Sequence, residues 1–223
     1  MSSVPLSDWL APLIGGVPED LALYEQALTH GSAGAAHYER LEFLGDRILG
    51  LVMAEWLYAL FPLEKEGQLS RRFNQLVAGD TCAQVAREIG LSAYLRLGKQ
   101  ARDDGAIDSD NVLGDAMEAL IGALYLERGL DAARALIQRL WESRVDARAS
   151  APKHPKSALQ EWAAAHGRKT PSYEILDRSG PHHALHFVVR VSIKGAGEAT
   201  GEGSSKQEAE TAAAAALLGM LGD

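Results

Sequence analysis

Between residues 21 and 145 the apolar positions recur every three to four residues, and beyond residue 170 they alternate. The first spacing predicts amphipathic helices and the second half-buried strands. Leu21 to Thr29 reads as a helix, with Pro18-Glu19-Asp20 as its start signal. Tyr38 to Leu60 is a long helix with Leu41, Leu44, Ile48, Leu51, Val52 and Trp56 at helical spacing, and Phe61-Pro62 ends it. Leu69 to Val77 is a third. Asp80 is placed to N-cap a fourth, which runs through Ile89 to a stop at Gly90. The polar, glycine-containing stretch Leu95 to Ser109 reads as a loop. Asn111 to Glu127 is the next helix, stopped at Arg128-Gly129, and Asp131 opens a last one reaching about Val145. No run in this half has strand periodicity.

Asp146 to His154 is small, polar and proline-bearing, and reads as a linker. Pro155 to His166 follows as an amphipathic helix with Leu159 and Trp162 on one side. Tyr173 to Asp177, His186 to Ile193 and Glu198 to Glu202 read as three strands, with turns at Gly180-Pro181 and Gly195 to Gly197. Ser204-Ser205 then cap an alanine-rich helix through Leu218. The pattern divides the chain into an all-helical domain over 1–146, a linker over 147–154 and an α-β-β-β-α domain over 155–223.

Composition narrows the class. A chain of 223 residues, 47% of them apolar, can build one large or two modest cores. The single cysteine, Cys82, excludes an internal disulfide framework and fits a reducing compartment. Met1 to Gly16 has no basic segment ahead of its apolar residues, so no secretory signal is read there. The longest apolar stretch, Ile48 to Leu63, is interrupted by Glu55 and too short for a membrane span. The expectation is a cytoplasmic protein with no membrane partner. The net charge of −8 is unevenly spread: residues 1–150 hold 14 Lys and Arg against 22 Asp and Glu, whereas the remainder holds 8 against 8 and five of the seven histidines. The second part is the less repulsive partner for a polyanion. The first would need bound metal before phosphate could come close.

The densest chemistry lies in Glu39-Arg40-Leu41-Glu42-Phe43-Leu44-Gly45-Asp46. Its three carboxylates, at i, i+3 and i+7, share one helical face. Like charges so placed repel by about 0.2–0.5 kcal/mol per pair, and a cation among them removes the penalty. Asp115 and Glu118 form a second acidic pair at i, i+3. Carboxylate oxygens converging from two helices suit a hard cation of the Mg²⁺ type. The alternative is a solvated acidic face paired with Arg40 and Arg47.

The octapeptide resembles the signature helix of bacterial ribonuclease III. Asn111-Val112-Leu113-Gly114-Asp115-Ala116-Met117-Glu118-Ala119-Leu120-Ile121-Gly122 resembles that family's other catalytic helix, and Gln26-Ala27-Leu28-Thr29-His30 its lead-in. The α-β-β-β-α order resembles a double-stranded RNA-binding domain. Together they imply an all-α endonuclease domain followed by that RNA-binding domain. The implied activity is Mg²⁺-dependent cleavage of double-stranded RNA, with Mn²⁺ as a substitute and no organic cofactor. The products would carry 5′-phosphate and 3′-hydroxyl ends with short 3′ overhangs, and the substrates would include precursors of ribosomal RNA and some messenger and transfer RNAs.

By resemblance, Glu42, Asp46, Asp115 and Glu118 hold the metal, with Asp46 and Glu118 closest to the chemistry. Glu39 matches a subunit-contact or RNA-contact position, against an ordinary exposed carboxylate. Phe43 matches an aromatic knob into a second subunit of a homodimer, against a core phenylalanine of its own chain. Glu66 matches an acidic position near the RNA-binding valley. Arg71 and Arg72 could reach phosphates or be ordinary surface arginines.

A-form duplex shows a wide minor groove lined with 2′-hydroxyls and a major groove too deep to read. Gln160 and Glu161 on the first helix of the second domain fit one minor groove and His183 the next. Lys206, with Ser204 and Ser205 at a helix N-terminus, fits the phosphates between them. Gln207 stands where relatives usually carry a second basic residue, and His182 stands where an acidic one is common. Two other classes stay open on the sequence: a non-catalytic duplex-RNA binder, and a helical interaction module whose acids make salt bridges.

Overall fold

Helices build the first of two units in this computed structural model, which describes residues 4–145, 153–179 and 185–222. The units comprise residues 1–151 and 152–223. The first element, α1 (Leu6–Ile14), lies ahead of anything the sequence reading places. Its apolar residues Leu6, Trp9, Leu10, Leu13 and Ile14 do follow helical spacing, but Pro12 sits inside it and masks the signal. Trp9 donates to the Ile89 carbonyl at 2.8 Å and stacks on Tyr94, which ties α1 to the unit.

Helices α2 (Leu21–Ala27) and α3 (Glu39–Leu60) fall where the periodicity predicts them. Asp20 caps α2, its side chain accepting from the Leu23 N–H. Helix α4 (Glu66–Leu76) begins three residues earlier than expected, at a capping box between Lys65 and Gln68. Helix α5 (Gly79–Glu88) is capped by Ala78, not Asp80. Asp80 lies in the first turn and accepts from the Thr81 N–H at 2.8 Å. The expected loop 95–109 contains a short helix, α6 (Lys99–Asp103), and a 3₁₀ turn over Ala106–Asp108. An isolated parallel bridge joins Thr29 to Arg96. Helix α7 (Asp110–Trp141) carries the expected break at Gly129, whose φ of 80° and ψ of −177° interrupt the helical path.

The core of this unit gathers Leu41, Leu49, Val52 and Met53 from α3 with Leu113, Met117, Leu120 and Ile121 from α7. Glycine lets the two helices touch. A β-carbon at Gly122 would lie 2.3 Å from the Leu41 carbonyl oxygen. Trp141 is fully buried and donates to the Leu76 carbonyl at 2.8 Å.

The second unit has the predicted order. Helix α8 (Pro155–Ala165) opens it, capped by the His154 side chain, with Pro155 in its first turn where a missing N–H costs nothing. Strands β1 (Ser172–Ser179), β2 (His186–Ile193) and β3 (Gly197–Gly203) form one antiparallel sheet in the order β1-β2-β3, with an irregularity between Ile175 and Asp177. Helix α9 (Lys206–Leu221) packs on the sheet so closely that a β-carbon at Gly201 would meet the Ala213 nitrogen at 2.1 Å. The alanine run of α9 therefore serves packing: Ala209, Ala213 and Ala214 are buried with Leu159, Val191 and Ile193. Residues 147–152 of the expected linker lie outside the described residues. Among the described residues no helix is long and apolar enough to cross a membrane.

Candidate functional site

The α3–α7 contact sets the geometry. Because Gly45 lies against the Glu118 carbonyl, the acidic residues of the two helices flank one crossing. Glu42, Asp115 and Glu118 are all half-buried there. Their charges act on one another across the crossing. Burial, reinforced by the charges of Asp115 and Glu42, pushes the Glu118 carboxyl up to about 7. Burial, Asp115 and Glu39 raise Glu42 in the same way. Asp115 is raised by burial, and a hydrogen bond from Tyr38 at 3.4 Å and the nearby His30 ring offset part of that rise. Beneath them the Cys82 thiol points at Glu118, with Sγ 3.9 Å from Oε1, and its own proton is held up to about 12 by burial and by that carboxylate.

Asp46 stands apart from this trio. It shares the α3 face but its carboxylate is turned onto Arg47 in an ion pair, and it is not among the main charges acting on Glu42, Asp115 or Glu118. Among the described residues no three His, Cys, Asp or Glu side chains have donors already drawn together as a metal-binding set. The donor chemistry still fits a hard divalent cation: three mutually repelling carboxylates from two helices, with a fourth one turn away on α3.

Glu39 is exposed in the first turn of α3 and within 3.7 Å of His37 Nδ1. Phe43 is 66% exposed, so it is not a core residue of its own unit. The Arg47 guanidinium lies over its ring at 5.3 Å. Beside it runs a groove of about 760 Å³ lined by Leu23, Gln26, Arg40, Leu44 and Leu126. Glu66 accepts from the Ser70 hydroxyl at 2.7 Å.

Arg72 corrects the expectation of a surface cation. It is buried, makes a two-pronged pair with Glu64 at 2.9 and 2.7 Å, and covers the Phe61 ring at 3.7 Å. It fastens α4 to the end of α3. A second device, which the sequence reading missed, is Glu127. Its buried carboxylate accepts from the Glu19 and Asp20 N–H groups at 2.8 and 2.9 Å, from the Tyr24 hydroxyl at 2.7 Å and from Arg128 Nε at 2.9 Å. An acid two residues before a helix-breaking glycine is its only signal.

In the second unit Gln160 and Glu161 are exposed on α8, and Glu161 pairs with Lys153. Ser205 is the N-cap of α9 and its hydroxyl accepts from the Glu208 N–H at 3.2 Å. Lys206 is exposed in the first turn, 3.7 Å from a Glu210 carboxylate that also holds Lys156. His182 and His183 lie outside the described residues.

Residues 20–144 match the family model described as Ribonuclease-III-like, and residues 155–221 match the double-stranded RNA binding motif. A protein of Zymomonas mobilis named Ribonuclease 3 is 60% identical over 99% of this chain and 90% of its own length. Ribonuclease 3 of Caulobacter vibrioides is 48% identical over 92% of the chain and 91% of its own. The crystal structure of the ribonuclease III nuclease domain from Campylobacter jejuni superposes with a TM-score of 0.60 at 33% identity, covering 64% of this chain and all of that one. A second structure of that domain, which concerns flexibility in a region involved in dimer formation, gives 0.59 at 34% identity, over 61% of this chain and 96% of that one.

Proposed function

The chain belongs to the ribonuclease III family, and from that premise we propose a cytoplasmic, homodimeric, Mg²⁺-dependent endonuclease that hydrolyses both strands of duplex RNA. The reading divides the chain into a nuclease domain through residue 146, a linker over 147–154 and an RNA-binding domain from 155. One observation carries it: Gly45 of α3 lies against the Glu118 backbone of α7, so Glu42 on one helix and Asp115 and Glu118 on the other flank a single crossing.

Glu42, Asp46, Asp115 and Glu118 would hold the metal, and Mn²⁺ would be accepted by the same oxygen donors. Bound Mg²⁺ supplies neutralisation of phosphate charge and acidification of a water. The chain's own residues arrange the rest. Tyr38 donates to Asp115 and fixes that carboxylate. The Cys82 thiol faces Glu118 from below. In the metal-free site burial and the neighbouring acids raise the Glu118 carboxyl to about 7, and a bound divalent cation would relieve that repulsion and hold it as a carboxylate. Asp46 must leave Arg47 to join the set, and Arg47 is then free to approach a phosphate oxygen.

The exposed Phe43 and the groove beside it support a second copy as partner, since a lone exposed phenylalanine gains roughly 1.5–3 kcal/mol on burial. The Campylobacter nuclease domain, with its region involved in dimer formation, supports the same arrangement here. A two-fold dimer presents two acidic sites to a duplex that has its own approximate two-fold symmetry. The products are then 5′-phosphate and 3′-hydroxyl ends with short 3′ overhangs, and precursors of ribosomal RNA, with some messenger and transfer RNAs, are the proposed substrates. Gln160 and Glu161 face the minor groove, and Ser205 and Lys206 the phosphates, in this reading. Long duplex RNA incubated with the protein should be cut with Mg²⁺ and stay intact without it. A Mg²⁺-dependent loss of the full-length band supports the enzyme, whereas intact RNA that only shifts in the gel contradicts it.

A further inference from the structure

Four of the eight Lys and Arg residues of the second unit have an acid partner. Lys153 pairs with Glu161, Arg190 with Glu174, and Lys156 and Lys206 share Glu210. Among the described residues Arg168, Lys169 and Lys194 make no ion pair; nor does Arg178, whose guanidinium lies over the Phe187 ring instead.

Arg168, Lys169 and Lys194 gather at one end of the sheet, and Arg178 lies at the other. The register sets Ser172 opposite Ser192 and Ile193 opposite Gly197, so the start of β1, the end of β2 and the start of β3 lie side by side. Lys169, Thr170, Ser172, Ser192, Lys194 and Glu198 line one groove of about 640 Å³ there. The Arg168 guanidinium closes its rim, 3.1 Å from where a β-carbon at Gly195 would stand. The Ser172 and Ser192 hydroxyls are 3.3 Å apart on its floor. Glu198, the one acid among these, also acts on Arg190, so its charge is shared outside the groove. Three unpaired cations around a floor of hydroxyls suit a phosphate oxygen, which takes charge-assisted hydrogen bonds from both kinds of donor.

The groove is distinct from the Lys206 end. Lys206 follows the far end of β3, and the seven residues of that strand span roughly 20 Å. The groove instead continues from α8. Arg168 N–H bonds back to the Ala163 carbonyl at 2.8 Å, so the basic cluster begins where the helix carrying Gln160 stops. We propose that this groove is an additional phosphate-backbone contact for duplex RNA, which lengthens the stretch of duplex held beyond α8. The inference rests on the duplex-binding reading given above.

The test uses the full chain without divalent cation, and follows binding of a labelled duplex of about 30 base pairs, roughly twice the ~16 spanned by one such domain. Each phosphate contact contributes about 0.9 to the slope of log affinity against log salt. Lys169→Ala with Lys194→Ala should lower that slope by about 2. The single variants Lys169→Gln and Lys194→Gln, each losing about 1, give the same reading should the double variant fold poorly. Wild-type slopes in these variants, alongside a loss of about 1 in Lys206→Ala, overturn the groove and leave the duplex-binding domain standing. Wild-type slopes in all of them overturn both.

Discussion

A β-carbon added at Gly45 would lie 1.7 Å from the backbone carbonyl oxygen of Glu118. Glu118, whose carboxyl is raised to about 7, thus sits at a tight contact between α3 and α7. Gly45→Ala must push α3 from α7, because backbone rather than a flexible side chain stands in the way. Overpacking of this kind costs about 1–3 kcal/mol or more, and here it also separates Glu42 from Glu118. Chemical denaturation should show a lower midpoint, and duplex cleavage should fall more than the stability loss alone explains.

Glu118 gives stability a definite pH dependence in metal-free protein. Its folded carboxyl, about 7, lies above the usual 4.5. The folded state therefore takes up a proton between those values, so its contribution is fully present below pH 4.5 and lost as pH rises through 7. Glu118→Gln removes the titration. The variant should melt higher than wild type at pH 8, and the difference should close toward pH 4. Added Mg²⁺ should raise the wild-type melting temperature at pH 8 and leave the variant's nearly unchanged.

Glu127 works with the opposite sign. Burial opposes its ionisation, but hydrogen bonds from Asp20, Tyr24, Glu19 and Arg128 outweigh burial and hold the carboxyl below its usual range. Its contribution is present above pH 4.5 and lost as pH falls through the lower folded value. Glu127→Ala strands four donors and frees residues 14–20 from α7, since Arg128 also holds the Ile14 and Val17 carbonyls. Urea unfolding at pH 7 should show a loss of about 3 kcal/mol, shrinking in acid.

Phe43→Ala should move the protein toward monomer in sedimentation velocity at micromolar concentration. The residue is exposed in its own chain, so folding of the monomer should be unaffected. A dimer of undiminished affinity would show that the groove beside α3 meets something else.

Much of the fold was legible because helical spacing in the first unit and alternation in the second are strong, local signals. Leu41, Ile48 and Val52 announced α3, and the alternation from His186 to Ile193 announced β2. Helix α1 was not legible, because Pro12 breaks the expected pattern while tertiary contacts at Trp9 hold the helix in place. The cap at Ala78 and the burial of Arg72 were also hidden. Each depends on a partner chosen by the tertiary fold: Glu64 and Phe61 for Arg72, and the start of α5 for Asp80. At the site the sequence placed four acids on two helices. Spacing set Glu42 on one helical face and Asp115 with Glu118 on another, and the resemblance to ribonuclease III implied that the two faces meet. Neither could show that Asp46 turns to Arg47, its neighbour in sequence and in space.

The most direct measurement is cleavage of a long RNA duplex by wild type and Glu118→Ala across a Mg²⁺ titration, with duplex affinity measured in parallel without metal. The account predicts metal-dependent cutting by wild type, no cutting by the variant and equal affinity for both. A variant that cuts near the wild-type rate would contradict it.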